Sequence, residues 1–504
     1  MIREASHQER LDTALRRSVK SPDPVRGTTV TVRVRFAPSP TGYMHVGNVR
    51  TALFNWLFAR GQDGVFILRV EDTDQRRHVE EAINVITDGL RWIGMDWDEG
   101  PEVEGPFGPY FQSQRSDLYH EHAERLIDAG EAYLCYCEAE GADPEAACRC
   151  AERADPNDRI ATGLAVRLSN PGGRSEFEDI VGGHLSFDNE QFGDYILVKS
   201  DGTPTYNFAN VVDDTAMEVT HVIRGDDHVS NTPRQLMLYR AFGYDPPRFA
   251  HLPQILGPDG ARLSKRHGAA SLTEYRDRGF LPEAFMNYLA LLGWAPRGEQ
   301  EFLTPAELID GFRLEDVRKS AAQFSMEKLV HLNSLHIQRL EPEERRDLAI
   351  GSLMRGEILD EASASDPEIL ERVGEIVEAM GNRFRYGEQI VEFGAHFFTE
   401  EVEIPGDLGS HFADDAVREA LSSAADRFEA CNEWTEEAIE EIVRASAKES
   451  GLKAAPLIHA VRVALSGTTA GPSLFTLVRL VGPRRSAQRI RSALDSFPAG
   501  ETSE

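Results

Sequence analysis

Arg35, His45, Glu71, Arg224 and the run Arg262–His267 are the residues whose types and spacing could do chemistry in this chain of 504 residues. His45 lies in RFAPSPTGYMHVGN, where two prolines, a serine, a threonine and a glycine crowd the joint between a strand-like and a helical pattern. A helix beginning there would aim its free N-terminal amides at an anion. Pro38 and Pro40 stiffen the turn, while Gly42 and Gly47 allow close backbone approach. The His45 ring can be neutral or charged near pH 7. Further on, GPDGARLSKRHGA presents Arg262, Lys265, Arg266 and His267 directly after an apolar run. Cations so placed could neutralise a triphosphate and the charge that develops as pyrophosphate leaves. A solvated basic loop would account for any one of them, but poorly for the Ser264–Lys265 pair inside its bracket of glycines.

The surrounding pattern supplies elements to hold these groups. Val32, Val34 and Phe36 alternate with Arg33 and Arg35, which reads as a half-buried strand. VRTALFNWLFAR is apolar nearly all round, as in a well-buried helix. VFILRV is a continuous apolar run of the kind found in parallel sheets covered on both faces, and it ends at EDTD. Strand, helix, strand, helix from residue 31 begins a doubly wound α/β fold with a parallel sheet. Residues 131–205 interrupt it with Cys, Gly, Asp and Pro, and THVIRG, TPRQLMLYRAF and FAHLPQIL then resume it. From about Phe280 the pattern is almost wholly helical. In such sheets ligands bind at the carboxyl ends of the strands, where both His45 and the 257–269 segment fall.

Composition narrows the class. No run of about 18 apolar residues occurs, so no membrane span is expected. The first 30 residues lack the apolar centre of a signal peptide, so the expected address is cytoplasmic. A net charge of −30 argues against a nucleic-acid partner at first sight. A protein can nevertheless be acidic overall and basic locally. RLVGPRRSAQRIR, residues 479–491, holds five Arg and no acid, a candidate phosphate contact or simply a solvated helix face.

Four of the five cysteines, Cys135, Cys137, Cys148 and Cys150, form two C-x-C pairs separated by ten residues. Thiolates grouped this way suit a closed, tetrahedral, structural Zn²⁺. The competing readings are unligated thiols and a disulfide, the latter disfavoured in a reducing compartment. Cys431 stands alone and reads as a helical core thiol.

HVGN resembles the HIGH motif of class I aminoacyl-tRNA synthetases, and RLSKR resembles their KMSKS motif. FAPSPTG, EDTD, NFANVVDD, VIRGDDH, NYLALLGW and SGTTAGPSLF extend the likeness from residue 31 to about 495. The chain is thereby similar to the bacterial glutamyl-tRNA synthetase family. PSPTG stands where glutaminyl enzymes typically have PEPNG. The resemblance implies a Rossmann-like sheet with an inserted acceptor-end-binding domain, followed by an all-helical anticodon-binding region. The implied boundaries are an extension over 1–30, catalytic halves over 31–130 and 206–260, and the zinc-bearing insertion over 131–205. The KMSKS loop and stem-contact domain would take 261–335, and the anticodon domain 336–504.

The implied reaction joins L-glutamate and ATP, with its Mg²⁺, into glutamyl-adenylate, and then transfers the glutamyl group to the terminal adenosine of tRNA(Glu). Glu71 would take the substrate ammonium and Arg224 its α-carboxylate. Arg35, with Tyr206 and Asn210, would hold the side-chain carboxylate, lined by Ala37 and Ser39. His45 and Lys265 would stabilise the phosphates, with Gly47, Asn48, Ser264 and Arg266 also at ATP. Asn48 replaces the second histidine of HIGH. The family implies a monomer that needs tRNA before it activates glutamate. The alternatives are a relaxed enzyme that also charges tRNA(Gln) and a non-catalytic tRNA-binding relative.

Overall fold

A computed structural model describes residues 30–498, except 41–43, 74–78, 138–149, 154–158, 161–162, 265–270 and 299. The described chain forms two compact units. The first runs to Glu274 and adds Pro282–Leu332; the second comprises Tyr275–Leu281 with the chain from Asn333 onward.

The first unit is built on parallel strands. β1 (Arg33–Phe36) leads into helix α1 (Val46–Arg60) and then β2 (Val65–Leu68), which pairs parallel to β1 with Arg35 opposite Ile67. Helices α2 (Val79–Trp92) and α3 (Ser116–Asp128) follow. The antiparallel strands β3 (Ala132–Cys135), β4 (Ala165–Leu168) and β7 (Ile196–Val198) form a small sheet of their own, in the order β3-β4-β7. Helix α4 (Tyr206–Ala216), β8 (His221–Gly225), α5 (Thr232–Phe242) and β9 (Arg248–Leu252) then resume the parallel pattern. The Thr220 amide donates to the Arg33 carbonyl at 2.9 Å, so the start of β8 lies beside β1.

The hairpin of β5 (Arg174–Asp179) and β6 (Gly183–Asp188) does not stay with the small sheet between whose strands it falls in sequence. It joins the large one, in the order β6-β5-β9-β8, with β5 parallel to β9. The cause is cross-strand packing: the Phe177 ring meets Phe249 at 5.6 Å, and Asp179 accepts from the backbone of β9.

β1 departs from the half-buried strand expected of its alternation. All four residues are buried, the arginines included. Arg33 is neutralised by a two-pronged contact with Glu99 at 2.8 and 3.0 Å, and Arg35 pairs with Asp214. An alternating polar position can face an interior when each charge meets a partner there.

The second unit is helical, with Pro342–Arg355, Pro367–Met380, Asp415–Ala430, Glu436–Glu449, Ala454–Ser466, Leu474–Val481 and Pro483–Ser496 as its longer helices. The arginine run 479–491 is largely taken up inside it. Arg479 meets Glu375 and Glu436, Arg491 meets Asp426 and Glu429, and buried Arg489 donates to the carbonyls of Leu465, His396 and Thr399. Cys431 follows the last turn of Asp415–Ala430 and its thiol donates to the Glu433 carbonyl, so it is a helix-end group and not a core one. No helix among the described residues is long and apolar enough to cross a membrane.

Candidate active site

The carboxyl ends of the parallel strands open into a cleft of about 620 Å³. The FAPS turn after β1, the start of α1, Glu71 after β2, the Arg224–His228 segment after β8 and the Leu252–Ile255 segment after β9 line it. The Glu71 amide donates to the Pro38 carbonyl at 3.0 Å, which docks the acid beside the proline turn.

His45 caps α1. Its backbone is extended at φ −84° and ψ 160°, and its Nδ1 accepts from the Asn48 amide at 3.3 Å. An accepting Nδ1 leaves the proton of the neutral ring on Nε2, so the ring offers one donor to a ligand at the helix start. Desolvation and nearby Arg262 hold the imidazole below its ordinary pKa against the pull of Asp227, which favours that neutral form. A Cβ on Gly47 would stand 3.2 Å from Cε1 and Nδ1 of this ring, a tight contact that would push the imidazole back by a few tenths of an ångström. Asn48 contributes its backbone amide to the cap, and no side-chain bond of Asn48 is seen among the described residues. Arg262 reaches the cleft from the GPDGA turn and meets Asp227 at 3.2 Å.

Four arginines (Arg35, Arg50, Arg224 and Arg262) and three acids (Glu71, Asp226 and Asp227) line the cleft, and Arg35, Arg224 and Glu71 follow or end the parallel strands. Arg35 turns its Nε/Nη2 edge to Asp214, at 3.1 and 3.4 Å. Arg224 turns the same edge to His251 Nε2 at 3.1 Å and Thr232 Oγ1 at 2.8 Å. Burial holds the Arg224 pKa below its ordinary value, a cost that an anionic ligand would relieve. Among the described residues, Glu71 Oε1 is buried without a hydrogen-bond partner, and the nearest cation, Arg69 Nη2, is 3.6 Å away. Burial raises the Glu71 pKa, against the pull of Arg69 and Arg35. Tyr206 also lines the cleft, its hydroxyl 3.1 Å from His228 Nδ1.

Ala37, Ser39, Gly47 and Asn48 lie on the cleft wall with these groups. Asn210 does not: it is buried beneath, where it donates to the Tyr206 carbonyl and accepts from Arg69 at 2.9 Å. Ser264 is half-buried and outside the lining. Lys265 and Arg266 lie outside the described residues, as does Cys148.

Reading the sequence missed the layer under the cleft. Fully buried Arg69 binds Asp214 at 2.6 Å, and Asp213 accepts from Arg115, Gln112 and Tyr119 at 2.7 to 2.9 Å. The signal present in the sequence was an arginine ending an apolar strand and an Asp–Asp pair ending an apolar helix. Both are charges that no solvent-facing pattern explains.

The sulfurs of Cys135, Cys137 and Cys150 lie within 4.8 Å of one another, all three residues buried. Cys137 and Cys150 are 3.7 Å apart, and the Tyr136 amide donates to Cys150. Thiolates round a tetrahedral zinc at about 2.3 Å stand about 3.8 Å from each other, a spacing that the Cys137–Cys150 pair matches.

The family described as tRNA synthetases class I (E and Q), catalytic domain, matches residues 31–331, and an anticodon binding domain matches residues 348–494. The chain belongs to this class I synthetase family. It is 44% identical over 500 residues to glutamate–tRNA ligase 2 of Rubrobacter xylanophilus, covering 94% of this chain and 99% of that one. Over 481 residues it is 40% identical to the glutamate–tRNA ligase of Bacillus subtilis, covering 92% and 99%. Among solved structures, a glutamate tRNA ligase from Elizabethkingia meningosepticum in complex with its amino acid aligns with a TM-score of 0.78 at 31% identity, covering 93% of this chain and 100% of that one.

Proposed function

We propose that this cleft joins L-glutamate to tRNA(Glu) in two steps, adenylate formation with ATP and transfer to the terminal adenosine. The observation that carries this reading is the trio of Arg35, Arg224 and Glu71 within a wall that also holds Arg50, Arg262, Asp226 and Asp227. Arg35 and Arg224 are held by one edge each, and Glu71 keeps an oxygen without a hydrogen-bond partner among the described residues. Glutamate brings two carboxylates and one ammonium, the complement of that set. A guanidinium fork matches a carboxylate and suits a neutral amide poorly, which favours glutamate over glutamine. The helix start at His45 suits the phosphates of ATP, which enters with Mg²⁺. The first step then needs placement and charge stabilisation and no protein nucleophile. Arg35 would take the side-chain carboxylate, Arg224 the α-carboxylate and Glu71 the ammonium, with His45, Lys265 and Arg266 at the phosphates. Cys135, Cys137 and Cys150, with Cys148, would hold a zinc that braces the loop between β3 and β4.

The test is aminoacylation of separate glutamate and glutamine tRNAs. Charging of the first with glutamate is expected, and Lys265→Ala should slow it with a smaller effect on tRNA binding. Charging of both would establish the relaxed enzyme, and no adenylate even with tRNA present would leave a non-catalytic relative.

Glu71 gives this reading a pH signature. Its pKa is raised, and an ammonium binds the ionised form. As pH falls through that raised value the carboxyl takes a proton and glutamate affinity drops. This happens above the pH range, around 4, where free glutamate protonates its own side chain. The glutamate KM, measured by tRNA-dependent pyrophosphate exchange, should therefore rise on acidification while the ATP KM stays level. In Glu71→Gln the KM should be high and flat over the same range; a wild-type slope surviving in that variant would remove Glu71 from the ammonium site.

A further inference from the structure

Three adjacent parallel strands place Asp179, His251 and Arg224 in one line. In the register of β8 and β9, Arg224 lies directly opposite His251, and Asp179 ends β5 on the other side of β9. The hydrogen bonds along this line can be arranged in only one way. Arg224 Nε can only donate, so His251 Nε2, 3.1 Å away, must accept. The single proton of the neutral ring is then on Nδ1, which donates to Asp179 Oδ2 at 2.7 Å. Thr232 closes the triangle: its hydroxyl accepts from Arg224 Nη2 at 2.8 Å and is 3.2 Å from His251 Nε2, to which it can donate.

Asp179 is equally committed. Oδ1 accepts from the amides of Val181 and Gly182, and Oδ2 accepts from the amide and ring of His251. Four donors fill the acceptor sites of a carboxylate. Burial opposes its charge, but the bonds from His251 and Gly182 outweigh that and hold its pKa below the usual range. Burial also keeps His251 below its ordinary pKa, consistent with the neutral ring. The aromatic ring of Phe249 packs 5.6 Å from the Arg224 guanidinium. None of the three side chains is more than 5% exposed.

We propose that Asp179 and His251 are positioning residues for substrate recognition: their chain of hydrogen bonds fixes the edge of Arg224, and so the direction in which it meets the α-carboxylate of the amino acid. Asp179 and His251 touch no substrate; they act through Arg224. The inference rests on the assignment of Arg224 made above.

The test is tRNA-dependent pyrophosphate exchange, varying glutamate and ATP separately, on His251→Asn, His251→Gln, Asp179→Asn and Arg224→Lys. An asparagine amide can reach Asp179 in place of Nδ1 but leaves Arg224 without its acceptor. A glutamine can set its oxygen where Nε2 stood. Asp179→Asn turns an NH₂ against N–H donors whichever way the amide lies. His251→Asn and Asp179→Asn should raise the glutamate KM by about ten- to a hundredfold with the ATP KM within about twofold, as for loss of one hydrogen bond to a charged group. His251→Gln should recover most of the loss, which a merely structural role for the ring would not allow. The proposal is overturned if His251→Asn leaves the glutamate KM unchanged, if both KM values rise together, or if His251→Gln is as impaired as His251→Asn. Arg224→Lys separates the two failures. An unchanged glutamate KM there removes the Arg224 assignment and this inference together. A raised one beside a silent His251→Asn removes only the relay. Should Asp179→Asn fail to fold, the two His251 variants decide.

Discussion

Arg35→Gln is expected to lower kcat/KM for glutamate by about 10²- to 10³-fold, the cost of truncating one partner of a buried, hydrogen-bonded charge pair. In the proposed complex the substrate side-chain carboxylate leaves water and meets the guanidinium edge that Asp214 does not use. A glutamine there can donate from one NH₂ and carries no charge, so the carboxylate would stay desolvated and underpaid in hydrogen bonds. The same change removes the feature that disfavours glutamine, so the ratio of glutamate to glutamine activation should fall together with the rate. Arg35→Lys keeps the charge and loses the fork; it should fall between wild type and Arg35→Gln. Exchange assays with each amino acid, run beside an ATP titration, check this. If the loss were equal for glutamate and glutamine, Arg35 would be holding the sheet together rather than reading the side chain.

The parts of this site legible in the sequence were those set by local chemistry. PSPTG followed by HVGN carries its prolines, glycines and histidine within a dozen residues, and turn geometry and capping act at that range. VFILRV was legible as a parallel strand because burial on both faces leaves a continuous apolar run. What was not legible depends on which strands become neighbours. Arg69 and Asp214 are 145 residues apart in the chain, and nothing local marks them as partners. The line of Asp179, His251 and Arg224 needs the register of β5, β9 and β8 together. The same blindness worked in the opposite direction for Arg479 and Arg491. Read locally they were free cations, yet each meets acids from other helices of the second unit. Charges reveal their roles in three dimensions because a charge is satisfied by whatever the fold brings near it.

Asp214 should show the largest effect on stability. It lies between two buried arginines, at 3.1 Å from Arg35 Nε and 2.6 Å from Arg69 Nη1, with its side chain 5% exposed and that of Arg69 fully buried. Asp214→Ala would leave both guanidiniums short of counter-charge, and breaking a buried pair in this way costs about 3 to 5 kcal/mol. Arg69 would retain the neutral Asn210 oxygen at 2.9 Å and, as counter-charge, only Glu71 at 3.6 Å and Asp213 at 3.8 Å. The pH dependence follows from the carboxyl itself. Burial opposes its charge, but Arg35 and Arg69 outweigh burial and hold its pKa below the usual range. A depressed acid contributes stability that is complete above the ordinary Asp value, about 3.9, and is lost as pH falls through the lower folded value. The gap between wild type and variant should therefore be level from about pH 5 to 8 and close only in stronger acid. Urea unfolding followed by tryptophan fluorescence measures it, since Trp56 is fully buried in the first unit. An Asp214→Ala midpoint matching the wild type at neutral pH would mean that water or a neighbouring acid already serves the arginines. A gap that closed well above pH 5 would assign the titration to Glu71, whose pKa is shifted the other way.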